Sequence, residues 1–313
     1  MRRRDLLIRL GLAASAVGGL WWLRDNVIWR APEPVFPAAG RTDWLPFVAR
    51  ANVPVVEATV AGRPVRALID SGAQYSVVDR ALVESLGLRA TVEMPLVAYG
   101  VSGQPQLGRG LSLDVALGGV ALNGLRTAML DLGPLAAGEG PGTALILGQD
   151  VLGTLIVEIE PERRRLRLTR PEAYRPGEDL RPVEVKRSGR ALATSVTVEG
   201  AAIEAVVDTG SSALLALSQA TAAEAGLLDG RPARAGSSIV LGGAMASRIV
   251  TARTLTFGDL LYRRVEIPIY PDVAIPGFPD ALLGMEAFAE RRMALDLGAG
   301  RLWASRPMDV TVS

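Results

Sequence analysis

Two stretches of the chain end an apolar run with an aspartate, a hydroxyl residue and a glycine. They read ALIDSG at residues 67–72 and AVVDTG at residues 205–210, and their aspartates are Asp70 and Asp208. Two carboxyl groups about 3 Å apart cannot both ionise easily, so they share one proton. The ionised member can then accept a proton from water while the protonated member donates one. If folding brings the two aspartates together, the chain carries an acid–base pair that can activate water.

Either stretch alone is also typical of a surface turn, but the repeat around the aspartates is much longer than the motif. Each aspartate follows a predicted β-hairpin that turns at a glycine eight residues earlier, Gly62 or Gly200. An apolar-apolar-glycine segment recurs 78 and 76 residues after the aspartates, as ILGQDVLG with Gly148 and LLGMEAFA with Gly284. The two halves of the chain are therefore predicted to be homologous.

The body of the chain is predicted to be all-β, with two homologous closed-barrel-like lobes and short helices. The helices are expected to begin at Asp79 and Ser218, which are typical N-cap residues. The arginine-rich residues 161–170 read as a strand with one solvated face, although a phosphate or lipid patch is the alternative. The predicted divisions are an export signal or membrane anchor at 1–30, a proline-rich spacer at 31–46, an N-terminal lobe at 47–170, an inter-lobe linker at 171–190 and a C-terminal lobe at 191–308.

The composition excludes several classes of chemistry. The chain has 313 residues and contains neither cysteine nor histidine, which removes thiol nucleophiles, histidine-dependent triads and zinc sites of the Cys/His type. Its glycine-rich segments do not follow the strand–G-x-G-x-x-G–helix pattern of nucleotide sites, and a carboxylate pair requires no metal. We therefore expect neither a cofactor nor a metal. Beyond residue 30 the acidic residues slightly outnumber the basic ones, so no nucleic-acid partner is expected.

The duplicated Asp-Ser/Thr-Gly motif resembles that of the pepsin-like and retropepsin-like aspartic proteases. The lobes are short, like a retroviral protease subunit, but they are fused in one chain, as in pepsin. The resemblance covers the chain from about Val53 to Trp303 and implies a bilobal acid-protease fold. It implies that Asp70 and Asp208 are the catalytic pair. The residues implied to join the two loops through hydroxyl hydrogen bonds are Ser71 and Thr209.

Glycines around each aspartate have a physical purpose in such a site. Gly72 and Gly210 would let backbone amides approach the carboxylates without a Cβ in the way. Gly148 and Gly284 would give the aspartate loops room to pack. Next to the second motif, the hydroxyl of Ser211 is expected to hydrogen-bond the carboxylate and favour its ionised form.

That difference between the two motifs predicts which aspartate ionises first. The first motif has Ala73 where the second has Ser211, so Asp208 is expected to be the more readily ionised member.

The resemblance also implies flaps over the cleft, formed by two glycine-bearing stretches. One contains Tyr99 and Gly100, and the other contains Gly242 and Gly243. If only one flap closes on substrate, we expect the first. Tyr99 is equally compatible with an ordinary half-buried strand residue.

The N-terminus has the pattern of an export signal. Three arginines at residues 2–4 precede a run without charge from Leu10 to Leu23, as in the twin-arginine signals of bacteria. The segment is either cleaved or kept as a membrane anchor, and a soluble amphipathic helix is the alternative. The sequence therefore predicts a periplasmic protein or one on the outer face of the cytoplasmic membrane.

These patterns predict an aspartic endopeptidase that hydrolyses exported or membrane proteins. The alternative is a catalytically inactive protein that binds an extended polypeptide between the same two lobes. Because both lobes lie in one chain, a monomer is sufficient to complete the site.

Overall fold

A computed structural model describes residues 32–88, 92–99, 105–137, 141–241, 243–273 and 278–307. The predicted export signal at residues 1–30 lies outside these ranges, as do Gly100 and Gly242 of the predicted flaps. Within the described ranges, no helix has both the length and the apolar character needed to cross a bilayer.

The described part of the first half is built from short strands with little helix. Its strands are β1 (Leu45–Pro46), β2 (Val55–Val60), β3 (Arg63–Ile69), β4 (Val77–Asp79), β5 (Val92–Tyr99), β6 (Pro105–Leu117), β7 (Val120–Leu130), β8 (Leu145–Leu147), β9 (Ile156–Glu160) and β10 (Arg165–Thr169). Its helices are α1 (Arg80–Ser85) and α2 (Gln149–Leu152), and 3-10 turns cover Gly133–Leu135 and Pro171–Ala173.

The described part of the second half repeats this plan. Its strands are β11 (Leu180–Val183), β12 (Lys186–Ser188), β13 (Ala191–Val198), β14 (Ala201–Val207), β15 (Leu215–Ser218), β16 (Ala233–Val240), β17 (Gly243–Phe257), β18 (Leu260–Tyr270), β19 (Ala281–Leu283), β20 (Met293–Asp296) and β21 (Arg301–Ser305). Its helix is α3 (Gln219–Glu224), and a 3-10 turn covers Met285–Phe288.

Each lobe is one sheet that curls back on itself. In the first lobe the strand order is β2-β3-β8-β4-β7-β6-β5, and an additional pairing of β2 with β6 closes six strands into a barrel. In the second lobe the order is β12-β13-β14-β19-β15-β18-β17-β16, and β13 also pairs with β17, which makes this sheet ring-like. The bilobal all-β fold predicted from the repeat is confirmed.

The hairpins before the aspartates turn at the predicted glycines. The turn between β2 and β3 has positive φ at both residues, 48° at Ala61 and 78° at Gly62. The turn between β13 and β14 matches it, with 48° at Glu199 and 94° at Gly200. Two-residue turns with positive φ at both positions suit the right-handed twist of the strands that they join. Each hairpin therefore delivers its second strand, β3 or β14, directly to an aspartate.

A third sheet joins the two lobes. Its order is β1-β10-β9-β20-β21-β11, and at its centre β9 of the first half pairs antiparallel with β20 of the second. Val157 and Ile159 of β9, and Met293 and Leu295 of β20, belong to one buried core that includes residues of both lobes. This shared core fixes the two lobes to each other.

Residues outside the two predicted lobes take part in the fold. Residues 32–46 lie along the first lobe, where Phe36 is buried in the core, Val35 pairs with Ala121 and β1 pairs with β10. From the predicted linker at 171–190, β11 pairs with β21 in the shared sheet. Both connecting segments are therefore ordered parts of the protein body.

β10 has the two faces that the strand interpretation of residues 161–170 predicts. Leu166 and Leu168 are buried in the shared core. Arg165 and Arg167 lie on the other face and stack on Trp44, with guanidinium carbons 4.4 and 4.6 Å from the ring centre. Each of these arginines also pairs with a glutamate of β9. Because their charges are balanced within the sheet, the phosphate or lipid interpretation is not favoured.

The two helix starts differ. Ser218 caps α3, since its hydroxyl accepts a hydrogen bond from the N–H of Thr221. Asp79 precedes α1 but makes no side-chain cap; its Oδ1 accepts from the N–H of Leu132 at 3.0 Å. The prediction that Asp79 caps its helix is therefore wrong, because the carboxylate instead ties α1 to the loop after β7.

Candidate active site

Both motif aspartates lie at the ends of buried strands where the lobes meet. Asp70 follows β3, and its N–H donates to Leu147 of the parallel strand β8 at 3.0 Å. Asp208 follows β14, and its N–H donates to Leu283 of the parallel strand β19 at 2.9 Å. The apolar residues before each aspartate fill the core beneath the site. The same local structure thus presents one carboxyl group from each lobe.

The two carboxyl groups meet across the lobe junction and are fully buried. They lie close enough to act on each other, since the charge of Asp208 contributes to the raised pKa of Asp70. Each also packs on a glycine of the opposite motif. A Cβ at Gly72 would lie 2.7 Å from the carboxyl carbon of Asp208, and a Cβ at Gly210 would lie 2.6 Å from that of Asp70. These glycines are therefore required by the close approach of the two loops.

Hydroxyl groups cross-link the two motifs, as the resemblance implies. Ser71 Oγ donates to the carbonyl of Val207 at 2.7 Å and accepts from the N–H of Thr209 at 3.0 Å. Thr209 Oγ1 donates to the carbonyl of Ile69 at 2.7 Å and accepts from the N–H of Ser71 at 2.9 Å. Four buried hydrogen bonds with local two-fold symmetry therefore hold the aspartates opposite each other.

The backbone of each motif fixes one oxygen of its own aspartate. Asp70 Oδ1 accepts from the N–H groups of Gly72 and Ala73 at 2.8 and 3.1 Å. Asp208 Oδ1 accepts from the N–H of Gly210 at 2.9 Å. The other oxygen of each, Oδ2, is buried and has no hydrogen-bond partner among the described residues. Each carboxyl group is thus held through one oxygen, and its second oxygen has no partner among the described residues.

Burial raises the pKa of both carboxyl groups, because the charged form loses its solvation. The pKa of Asp70 is raised well above its usual value, first by burial and then by the charge of Asp208. Burial also raises the pKa of Asp208, while the neighbouring Asp70 carboxyl group and the amides of Gly210 and Ser211 oppose this rise. Such a pair titrates as one unit that retains a proton.

The predicted role of the Ser211 hydroxyl is wrong, and which of the two aspartates ionises first stays a prediction. The hydroxyl of Ser211 was expected to stabilise the Asp208 carboxylate, but Ser211 Oγ is buried and has no hydrogen-bond partner among the described residues. The backbone amide of Ser211 and the neighbouring carboxyl group lower the pKa of Asp208 instead. The hydroxyl lies against Gly284, where a Cβ would come within 2.8 Å of it.

The two downstream glycines lie beneath the aspartate loops, where the sequence predicts them. A Cβ at Gly148 would lie 2.7 Å from the carbonyl oxygen of Ala73 and from the backbone of Tyr75. A Cβ at Gly284 would lie 2.6 Å from the carbonyl oxygen of Ser211. Neither position has room for a side chain.

A buried polar network beside Gly148 was missed in the sequence. Asp150 accepts hydrogen bonds from the N–H and the hydroxyl of Ser76 at 3.1 and 2.8 Å. Gln149 Nε2 donates to the carbonyl of Ser71 at 2.8 Å. Burial raises the pKa of Asp150 to about 6, and the hydrogen bonds from Ser76 oppose this. The network braces the loop of Asp70 from below.

Comparison of the two repeats indicates this network, because its polar pair is not repeated in the second lobe. The second lobe has Leu214 and Glu286 at the positions that match Ser76 and Asp150; Leu214 is buried in the core and Glu286 is exposed. A polar pair that breaks an otherwise close repeat indicates a site that differs between the lobes.

The predicted flaps correspond to two hairpins, β5–β6 and β16–β17. In the first, Tyr99 ends β5 opposite Pro105, and its side chain is outside the described atoms. In the second, Gly243 begins β17 with a φ of 127°. Leu241, which the sequence did not single out, is buried with residues of the first lobe. Which hairpin closes on substrate stays a prediction.

Two like β-lobes that bring paired aspartates together at their junction define a bilobal acid-protease fold. The sequence profile of the family described as aspartyl protease matches residues 56–151 and 194–287. Because these two repeats cover more than half of the chain, the protein belongs to the aspartyl protease family. No individually curated protein matches the chain.

Proposed function

We propose that the protein is an aspartic endopeptidase whose catalytic residues are Asp70 and Asp208. The observation that carries this proposal is the geometry of the pair. Two buried carboxyl groups approach each other across the lobe junction, are fixed at Oδ1 by backbone amides and have no hydrogen-bond partner at Oδ2 among the described residues. This arrangement suits one proton held between two acids better than it suits a structural ion pair.

The reaction follows from the shared proton. The ionised carboxylate removes a proton from a water molecule as that water attacks the carbonyl carbon of the peptide bond. The protonated carboxyl group donates to the carbonyl oxygen, which gives a tetrahedral diol. Collapse of the diol breaks the C–N bond. The proton taken from water passes to the leaving amine, and one hydroxyl of the diol returns its proton to the carboxylate that had donated to the carbonyl oxygen. The pair is then restored with one proton.

The residues around the pair have supporting roles in this proposal. Ser71 and Thr209 keep the carboxyl groups at the separation that sharing a proton requires. Gly72 and Gly210 allow that separation, because any side chain there would meet the opposite carboxyl group. The site draws on two halves of a single chain, so a monomer would be competent.

Peptide cleavage by the full-length protein tests the proposal. Asp70→Asn and Asp208→Asn should each abolish cleavage of a peptide library, because neither variant can hold the shared proton between two acids. Asp43→Asn is the matched control, since Asp43 is exposed. Cleavage that survives either dyad variant, or that Asp43→Asn also removes, would reject the assignment.

A non-enzymatic peptide-binding protein is the second candidate, and the complete burial of both carboxyl groups is the observation that favours it. Asp70→Asn and Asp208→Asn distinguish the endopeptidase from the binding protein, because they should abolish cleavage by an enzyme but leave peptide binding in place. Binding of a library peptide without its cleavage by the unmodified protein would favour the binding protein.

We further propose that the substrates are exported or membrane proteins and that the enzyme acts outside the cytoplasmic membrane. The support is the arginine-headed apolar segment at residues 1–30. Fusing residues 1–46 to a reporter that is active only after export tests this, and replacing the arginines at residues 2–4 by glutamine should abolish reporter activity.

A further inference from the structure

One arginine away from the paired aspartates has a buried side chain. Arg291 follows the 3-10 turn Met285–Phe288, and its N–H donates to the carbonyl of Phe288 at 2.9 Å. The residue is only 6% exposed, and its Nε is buried without a hydrogen-bond partner among the described residues. Buried polar donors, and charged ones above all, normally have their hydrogen bonds filled. Arg291 therefore keeps a donor for a group that the described part of the chain does not provide.

The acidic partner of Arg291 balances its charge only in part. Asp259, in the turn between β17 and β18, pairs with Arg291 Nη2, and the Asp259 side chain is 63% exposed. A second arginine acts on the same carboxylate. The pKa of Asp259 is lowered first by its hydrogen bond from Arg291 and further by the charges of Arg291 and Arg306. Two guanidinium groups thus share one exposed carboxylate.

Two grooves of about 860 and 610 Å³ meet at these arginines. The residues that line both grooves are Arg181, Arg291, Ser305 and Arg306. The guanidinium group of Arg181 donates to two backbone carbonyls, and that of Arg306 forms no hydrogen bond or ion pair with another residue of the described ranges. Ser305 Oγ donates to the carbonyl of Arg306 at 2.8 Å, which fixes the backbone from which that side chain extends. Three arginines therefore present donors where the grooves join.

The charge at this junction is positive. Among the described residues, Asp259 is the one acidic residue that forms a salt bridge with any of the three arginines. Other acids of the grooves pair elsewhere, Glu204 with Lys186 and Asp179 with Arg292. The three guanidinium groups thus exceed the one carboxylate by two charges. A phosphate monoester carries about −1.5 to −2 charges at neutral pH, and its several acceptor oxygens can bind more than one guanidinium group. A single carboxylate would leave part of this charge unmatched.

We infer that Arg181, Arg291 and Arg306 form a binding site for a phosphate group at the junction of the two grooves. The inference goes beyond the proposed function and does not rest on it, because neither groove is lined by Asp70 or Asp208. The phosphate group belongs either to a water-soluble compound or to a phospholipid. The lining of the larger groove includes the apolar residues Ile203, Phe257 and Ala304, which would contact an acyl chain.

Calorimetric titration of the full-length protein with inorganic phosphate, at constant ionic strength, tests the site. Arg306→Gln should weaken phosphate binding by about tenfold or more, because it removes a charge-assisted hydrogen bond. Arg306 is exposed, so this variant should fold normally. Arg175→Gln is the matched control. Arg175 is exposed, donates to two backbone carbonyls as Arg181 does, and lines neither groove, so phosphate affinity should stay within about twofold of the unmodified protein.

Asp259→Asn separates a phosphate site from a structural ion pair. The variant removes the carboxylate that competes with phosphate for Arg291, so phosphate should bind about threefold more tightly. Phosphate should then raise the thermal midpoint of Asp259→Asn more than that of the unmodified protein, because a ligand that binds the folded state stabilises it. If the ion pair were only structural, Asp259→Asn would lower the thermal midpoint and phosphate would not restore it.

Three further probes identify the source of the phosphate group. They are acetate, glycerol 3-phosphate and a short-chain phosphatidic acid below its micelle concentration. Tighter binding of the phosphatidic acid than of glycerol 3-phosphate would assign the site to a lipid, and equal or weaker binding would assign it to a water-soluble phosphate compound. The inference is overturned if no phosphate probe binds, if acetate binds as tightly as phosphate, or if Arg306→Gln and Arg175→Gln have the same phosphate affinity. None of these results depends on whether the protein cleaves peptides.

Discussion

The hydroxyl cross-link between the two motifs leads to a quantitative prediction for Thr209→Val. Valine keeps the shape of threonine but removes the hydroxyl that donates to the Ile69 carbonyl at 2.7 Å and accepts from the Ser71 N–H at 2.9 Å. Both partners are buried. A buried polar group left without a partner costs about 1–3 kcal/mol, so the variant should lose about 2–6 kcal/mol of unfolding free energy.

Urea denaturation followed by fluorescence measures this loss, as a lower midpoint with an unchanged m-value. Thr209→Ser is the matched control. It keeps the hydroxyl and loses one methyl group, for a cost of about 1 kcal/mol. A Thr209→Val variant within about 1 kcal/mol of Thr209→Ser would refute the argument that the hydroxyl holds the lobes together.

A double-mutant cycle with Ser71→Ala extends the test to the whole network. Each hydroxyl accepts from the backbone N–H of the residue that carries the other hydroxyl, so their losses should not add. We expect a coupling energy above about 0.5 kcal/mol. Strictly additive losses would mean that the four hydrogen bonds act as two independent pairs.

Three further predictions concern the surroundings of the pair. Gly72→Ala should lower peptide cleavage by about a hundredfold or more, because its Cβ would displace the Asp208 carboxyl group from 2.7 Å away; cleavage at the original rate would contradict this. Asp150→Asn should flatten the dependence of stability on pH. The native pKa of Asp150 is about 6 against an ordinary 3.8, so the native state holds the proton more tightly than the unfolded chain. Stability is then lost as the pH rises from about 4 to about 6, by about 3 kcal/mol in all. Urea denaturation at several pH values across this range measures the unfolding free energy of both proteins. If the difference between Asp150→Asn and the original protein stays constant, the predicted titration of Asp150 is wrong. Ser218→Ala should lower the unfolding free energy by about 1 kcal/mol, because it removes the hydroxyl that caps α3 at the N–H of Thr221. A lower thermal midpoint would show this loss.

The features that could be predicted from the sequence are those that are local or duplicated. The turns at Gly62 and Gly200 have a strong local signal, because glycine and short-range alternation define a hairpin within about fifteen residues. The aspartate pair followed from duplication, since two copies in matching contexts must occupy equivalent places in two lobes. The roles of Ser71 and Thr209 came from the family resemblance, because the spacing of residues alone does not predict them.

Other features depend on contacts between distant parts of the chain, and the sequence carries little sign of them. Leu241 reads as an ordinary apolar residue beside glycines, and only the placement of the other lobe buries it. Asp79 has the right type for a cap, but a loop about fifty residues later competes for its carboxylate. The order of strands in the shared sheet likewise depends on tertiary packing that no local pattern encodes.

The shared sheet has a consequence for how the chain is made. β9 is synthesised well before β20, the strand that pairs with it at the centre of the sheet. Until β20 emerges, one edge of β9 has open hydrogen-bonding groups above an apolar underside formed by Val157 and Ile159. Open edges of this kind invite pairing with other chains. The nascent first lobe should therefore depend on chaperones, and co-expressed half-chains should find each other and rebuild the sheet from two pieces.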